Sequence, residues 1–306
     1  EIASCLVGSE MCIRDSDRCA PSPARSPFAS PRAVHSPVMS AARRVARGCG
    51  CAGVLVAAAA VVMVVALVAW LIAAFSTPDR HEPLQPVPTT MPPPAAEAPP
   101  PIDVHGPGRT SDLLFDWSQD IGNATNVSGQ AIRAYANAAL IANESWPACN
   151  LQWNTLAGIG WVETRHGTYT GHFNNSQLNQ DGYPEPPIIG PKLDGDGFAH
   201  VADTDQGAFD NDPEFDRAVG PMQFIPESWA RYGRDANGDG HPDPQQIDDA
   251  ALGAANLLCN SGGATRDLAT EEGWRQAVFA YNQSNDYVAK VRDAAANYAM
   301  NQPAHR

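Results

Sequence analysis

The chain has 306 residues, and 34 acidic against 20 basic side chains leave a net charge of -14. Residues 1–108 are neutral, with eight acids and eight bases, so the whole excess falls on residues 109–306. Such an acidic domain lacks the clustered Lys and Arg needed to grip nucleic-acid phosphates or anionic lipid, and no Cys/His set stands at zinc spacing.

Residues 1–38 mix Cys, Ser, Pro and Arg without periodicity. They read as a disordered or misannotated extension, with Met39 a natural start. A short basic segment, 39–51, carries Arg43, Arg44 and Arg47 and precedes 24 uncharged positions, 52–75. At 1.5 Å per residue that run makes a helix of roughly 36 Å, long enough to span a hydrocarbon core. The expectation is a transmembrane anchor with its basic flank in the cytoplasm and the remainder outside. A cleaved signal peptide, cut near Ala73 and Ala74 and releasing the rest, is the rival reading. Residues 76–108 form a Pro-rich linker, with 11 prolines in the 32 positions from 77 to 108. This composition favours extended polyproline II, and a semi-rigid stalk is expected.

Residues 109–306 have single-domain size and a mostly helical pattern. Helices are expected at 127–143, 151–165, 226–232, from Asp248 or Asp249 to Cys259, at 271–281, and from Ser284 or Asn285 onward. Asn150, Asp248 or Asp249, Thr270 and Ser284 or Asn285 are the candidate N-caps. The last helix should turn Tyr287, Val288, Val291, Ala295 and Tyr298 inward. A long irregular region, 167–220, interrupts the helices. Cys149 and Cys259 are the only cysteines of the domain. In an oxidising compartment a disulfide is the default, with two buried thiols the alternative.

Several segments carry groups suited to chemistry. Glu163, in GIGWVETRHG, ends a small and apolar helical stripe formed by Leu156, Ile159 and Gly160. Burial there would raise its pKa and keep it protonated, as a general acid requires; a surface or ion-paired glutamate is the plainer alternative. Residues 194–216 hold seven Asp plus Glu214, the density of a solvated acidic loop, with Asp210 or Asp216 a possible second carboxylate. DANGDGHPDPQQIDD aligns Asp235, Asn237, Asp239 and Gly240 with positions 1, 3, 5 and 6 of a calcium loop. His241 would offer its carbonyl at position 7, and Asp243 stands at 9. Gln246 occupies position 12 in place of the bidentate Glu, so Asp248 is the substitute ligand considered, against an empty Asx/Gly turn. Gln223, Tyr281 and Asn282 suit hydrogen bonding to sugar hydroxyls and acetamides, and Trp161, Tyr169 and Phe224 suit stacking on sugar faces.

Taken in order, LAGIGWVETRHGTY, AVGPMQFIPESWARYGRDANGDGHPDP, DDAALGAANLLC and AVFAYNQSNDYVAKV resemble the lytic transglycosylases of bacterial cell walls, specifically the membrane-bound type B group. The resemblance spans roughly 127–300. It implies a mainly α, lysozyme-like α+β fold, a peptidoglycan glycan substrate and a catalytic Glu163 before Thr164 and Arg165. It also implies that Gly220 to Gln223, including Met222, lines the groove with Tyr281 and Asn282. No cofactor is required, and the Asp235 loop is a calcium site in some relatives. The reaction implied cleaves the β-1,4 bond between N-acetylmuramic acid and N-acetylglucosamine, leaving 1,6-anhydro ends. A hydrolytic muramidase with a second carboxylate is the nearest alternative, and a non-catalytic wall-binding or scaffolding domain a further one. Other cell-wall enzymes are conceivable but unspecified partners.

Overall fold

Among the described residues seven α-helices form the domain, six of them close to their expected spans, and three pack around a fourth. In the computed structural model, which describes Met63, residues 84–168 and residues 176–305, that central helix is α2 (Gly129–Ser145). It follows a 3-10 turn at Thr110–Leu114 and α1 (Phe115–Thr125), and precedes α3 (Trp153–Thr164). After an irregular stretch come α4 (Pro226–Tyr232), α5 (Ile247–Asn260), α6 (Glu271–Tyr281) and α7 (Asn285–Ala299). The first turn and α1 were not expected from the sequence. Ala131, Ile132, Ala134, Tyr135, Ala136 and Ala138 of α2 are all fully buried. Small side chains on every face let α1, α3 and α5 approach it together.

The large buried side chains are Trp153, Trp274, Tyr135, Tyr298 and Phe224; each withdraws enough apolar surface to contribute about 1.5–3 kcal/mol. Among the described residues α3 packs extensively against α7. A Cβ at Gly158 would lie 2.7 Å from the Val291 carbonyl oxygen, so only glycine permits that crossing. Cys149 and Cys259 form a disulfide across a sequence separation of 110, with Cα atoms 5.5 Å apart. It fastens the turn before α3 to the end of α5.

The caps depart partly from expectation. Thr270 accepts from Gly273 N and Ser284 from Tyr287 N, as anticipated. Asn150 instead adopts a left-handed conformation outside α3, whose N-cap is Gln152. Gln246, with its side-chain oxygen accepting from Asp248 N and Asp249 N, caps α5. Both aspartates therefore sit in the first helical turn, a favourable place for negative charge.

Among its described residues the irregular region holds four short strands: β1 (Gln177–Leu178), β2 (Pro184–Glu185), β3 (Ile189–Lys192) and β4 (Arg217–Val219). They pair antiparallel as β1 with β2 and β3 with β4, with Ile189 opposite Val219 and Lys192 opposite Arg217. The acidic segment 194–216 is the excursion between β3 and β4, closed by a small cluster of Leu193, Ala218 and Ile225. It is not simply a solvated loop, because Asp210, Asp212 and Asp216 are buried. Asp210 accepts from Asp212 N and Arg217 N, Asp212 receives Arg217 through two nitrogens, and Asp216 accepts from Thr204 N and its hydroxyl. Acidic side chains thus supplement a sparse set of backbone bonds, such as Val201 N to the Leu193 carbonyl and Asp203 N to the Glu214 carbonyl.

Residues Gln85–Arg306 form one compact unit. The described part of the Pro-rich segment is extended, as expected, but lies along the helices rather than standing free as a stalk. Gln85 exchanges two hydrogen bonds with Gln302, Trp153 Nε1 donates to the Glu97 carbonyl, and Asn154 donates to the Pro94 carbonyl. Proline-rich backbone has unused carbonyls, which these side chains take up. The expected extension, basic segment and anchor lie outside the described residues apart from Met63. Among the described residues no helix is long and apolar enough to cross a membrane.

Candidate active site

Glu163 is the penultimate residue of α3, at the end of a helix whose residues Trp153 to Gly160 are buried. The residue itself is partly buried. Tyr287, on α7, donates its hydroxyl to Glu163 Oε1 at 2.6 Å. Burial disfavours the carboxylate and lifts the Glu163 pKa to about 8, while the Tyr287 hydrogen bond pulls in the opposite direction. Burial and the Glu163 charge hold the Tyr287 phenol well above its ordinary value, so it remains a donor. Burial thus favours the protonated form of Glu163, the form that a proton donor needs.

Tyr287 was legible in the sequence only as an inward position of the last helix. Its ring lies parallel to that of Tyr281, with centroids 6.4 Å apart and planes 6° apart. Tyr281 is 3% exposed and donates to the Met222 carbonyl at 2.7 Å. The two tyrosines, six positions apart in AYNQSNDY, thus join the Gly220–Phe224 turn to Glu163.

The other expected site residues divide between buried scaffold and accessible surface. Thr164 is 2% exposed; its hydroxyl donates to the Pro221 carbonyl at 2.6 Å and accepts from Gly167 N at 2.8 Å. It ties the end of α3 to the 220–224 turn. The Met222 side chain is fully buried. Phe224, expected to stack on sugar faces, is instead packed edge-on between Trp229 and Tyr281, because the strand–turn–helix connection directs its ring into the core. Gln223 stays partly exposed in a left-handed conformation at φ 50°, held by the Gly220 carbonyl. Trp161 is partly buried beneath the Arg165 guanidinium, 4.1 Å from the ring centroid. Asn282 is buried directly after α6. Tyr169 lies outside the described residues.

The 235–249 loop is held by its own oxygens. Asp235 accepts from Gly238 N and Gly240 N, Asn237 from Asp239 N, Asp239 from His241 N, and Asp243 from Gln245 N. The late carboxylate that enters the loop is Asp249, which accepts from Ala236 N, Asn237 N and Asp243 N. Burial raises its pKa to about 7, against those three hydrogen bonds. Asp248, the ligand expected from the sequence, is turned away. Its Oδ2 accepts from Arg109 Nε at 2.8 Å and Nη2 at 2.5 Å, and from Gln246 Nε2 at 2.9 Å. Helical geometry is the reason, since consecutive residues at the start of α5 point about 100° apart. A second set of oxygens, from Asp203, Asp205 and Asp216, places one atom of each carboxylate within 4.8 Å of the others, close enough to share a divalent cation.

Residues 215–294 match the Transglycosylase SLT domain family. No curated protein and no solved structure matches the chain. The matched SLT stretch is 80 of the 306 residues and runs from the end of the acidic excursion into α7. It contains Met222, Gln223, Phe224, the Asp235 loop, Tyr281, Asn282 and Tyr287. Glu163 lies upstream of it, joined to it through Tyr287 and the Thr164–Pro221 hydrogen bond. An SLT domain supports membership of a peptidoglycan-acting enzyme family with an extracytoplasmic role. The helical core with its small sheets agrees with a lysozyme-like architecture.

Proposed function

We propose that the protein is a lytic transglycosylase of the membrane-bound type B group, cleaving the β-1,4 bond between N-acetylmuramic acid and N-acetylglucosamine. The observation that carries this reading is a glutamic acid lifted to a pKa of about 8 and oriented by the Tyr287 hydroxyl, beside an SLT-matching segment. Protonated Glu163 gives its proton to the glycosidic oxygen as the bond to muramoyl C1 breaks. The resulting carboxylate takes the proton of the muramoyl C6 hydroxyl while O6 bonds to C1. Glu163 ends protonated, the product is a 1,6-anhydro sugar, and no water is consumed.

One carboxyl suffices for this sequence, whereas hydrolysis with a second carboxylate would need a partner beside Glu163. The side chain seen to hydrogen-bond Glu163 is the Tyr287 phenol. Residues 169–175 contain no Asp or Glu. Asp210 and Asp216 are engaged within the acidic excursion. Gln223, Trp161 and Tyr169 are assigned to hold sugars, while the buried Thr164, Met222, Phe224, Tyr281 and Asn282 shape the turn that presents them.

The Asp235 loop fits calcium by its donor chemistry. Asp235, Asn237, Asp239 and Asp249 supply hard oxygens, with Asp243 and the His241 carbonyl in the same loop, and the ion would brace the loop against α5. Export through the 52–75 segment, retained as an anchor, completes the assignment, and an extracytoplasmic disulfide is in keeping with it. The test is digestion of purified peptidoglycan by the full chain and by Glu163→Gln. The first should solubilise it and the second should bind without cleaving; equal digestion by both would reject the assignment.

A further inference from the structure

Beyond Glu163 the backbone does something costly. Arg165, His166 and Gly167 follow with φ of 52°, 62° and 82°, three successive left-handed residues, two of them not glycine. Each such non-glycine residue is strained and persists only where its surroundings enforce it. Enforcement here comes from His166. Its backbone N–H donates to the Gly160 carbonyl at 2.8 Å, which closes α3. Its ring, on a residue 4% exposed, lies between two phenols. Nδ1 meets Tyr135 Oη of α2 at 3.1 Å, and Nε2 meets Tyr298 Oη of α7 at 2.8 Å. Gly160 leaves room for this arrangement, since a Cβ there would collide with the Tyr135 hydroxyl.

We propose that His166 is a positioning residue for Glu163, fastening the end of α3 to α2 and α7 so that Glu163 meets Tyr287. The inference rests on the catalytic reading of Glu163. Helix α7 reaches the end of α3 through two phenols, Tyr287 to Glu163 and Tyr298 to His166. Releasing the second contact frees the reversed turn and loosens the first. A neutral imidazole has one donor and one acceptor, so it completes a Tyr–His–Tyr chain in which every group is satisfied. An imidazolium would have two donors and no acceptor for either phenol. Facing the ring are Tyr135 from α2, Tyr298 from α7, the Trp161 ring, and Arg165 on the same turn. Burial and the Arg165 charge keep the imidazole neutral, with its pKa lowered to about 3.

The test compares His166→Leu, His166→Gln and Tyr298→Phe in the full chain. Each variant is followed by thermal melting and by the pH dependence of peptidoglycan cleavage. His166→Leu should lower kcat by about 30-fold or more with KM within about twofold, and move the alkaline limb of kcat. His166→Gln, whose amide both donates and accepts, should recover most of the loss. Tyr298→Phe should shift the same limb by a smaller amount, and it decides the matter if His166→Leu does not fold. An unchanged alkaline limb in a folded His166→Leu or in Tyr298→Phe overturns the positioning role, as does a glutamine variant no better than leucine. Retained cleavage by Glu163→Gln would instead overturn the catalytic reading beneath it, whatever the His166 variants do.

Discussion

The Tyr287 hydroxyl donates to Glu163 Oε1 at 2.6 Å, across the packed face of α3 and α7. This hydrogen bond favours the carboxylate and opposes the burial that disfavours it. Tyr287→Phe should therefore raise the Glu163 pKa further and move the alkaline limb of kcat upward. It should also lower kcat about 10–100-fold, because the carboxyl loses its orienting partner. A pH–rate profile of wild type and variant measures both; a limb that moves downward would contradict the arrangement.

The shift at Glu163 is also a statement about stability. With its folded pKa raised from 4.5 to about 8, its contribution is fully present below 4.5 and is lost as pH rises through 8. Glu163→Gln removes that burial of charge, so it should be more stable than wild type at pH 9, by about 1–3 kcal/mol. His166 runs the other way: its folded pKa is depressed to about 3, so stability falls as pH drops from 6.5 toward 3. Denaturant unfolding at pH 4, 6.5 and 9 should show wild type losing stability at both ends, with Glu163→Gln spared the alkaline loss.

The Cys149–Cys259 bridge closes a loop that contains α3, α4 and α5. Its entropic effect on the unfolded chain should contribute about 2–4 kcal/mol. The double Cys149→Ala, Cys259→Ala variant should be less stable by that amount and melt at a lower temperature, with cleavage at low temperature preserved because the bridge lies before the N-terminus of α3 and Glu163 at its C-terminal end. Differential scanning under oxidising and reducing conditions should give a large shift for wild type and none for the variant.

The two aspartates at the start of α5 should behave differently toward calcium. Asp249 enters the Asp235 loop, so Asp249→Asn should abolish any rise in melting temperature on adding calcium to chelator-treated protein. Asp248 is fully buried against Arg109. Asp248→Asn should cost about 2–4 kcal/mol with or without calcium, since it leaves the guanidinium short of a partner. A calcium response lost with Asp248→Asn but kept with Asp249→Asn would reverse the ligand assignment.

Much of this molecule was legible in its sequence because helices announce themselves locally. The apolar stripe of 127–143, Pro226 opening α4, Gly233 ending it, and the Thr270 and Ser284 caps depend on residues a few positions apart. The misreadings arise where tertiary contacts decide. Asn150 resembles a cap but turns left-handed before α3 begins, and Asp248 resembles a ligand until Arg109 is brought to it from 139 residues away. Phe224 has the composition of a sugar platform, yet Trp229 and Tyr281 enclose it. Within the candidate site Glu163 stood out by its apolar helix. Tyr287 and Tyr298 read only as core positions, because nothing local reveals that Glu163 and His166 are their partners.

Mass spectrometry of peptidoglycan digested by the full chain tests the central claim most directly. The account predicts products ending in 1,6-anhydromuramic acid, one water lighter than hydrolytic products, and none from Glu163→Gln. Reducing ends that have taken up a water from the medium, or anhydro products from Glu163→Gln, would contradict it.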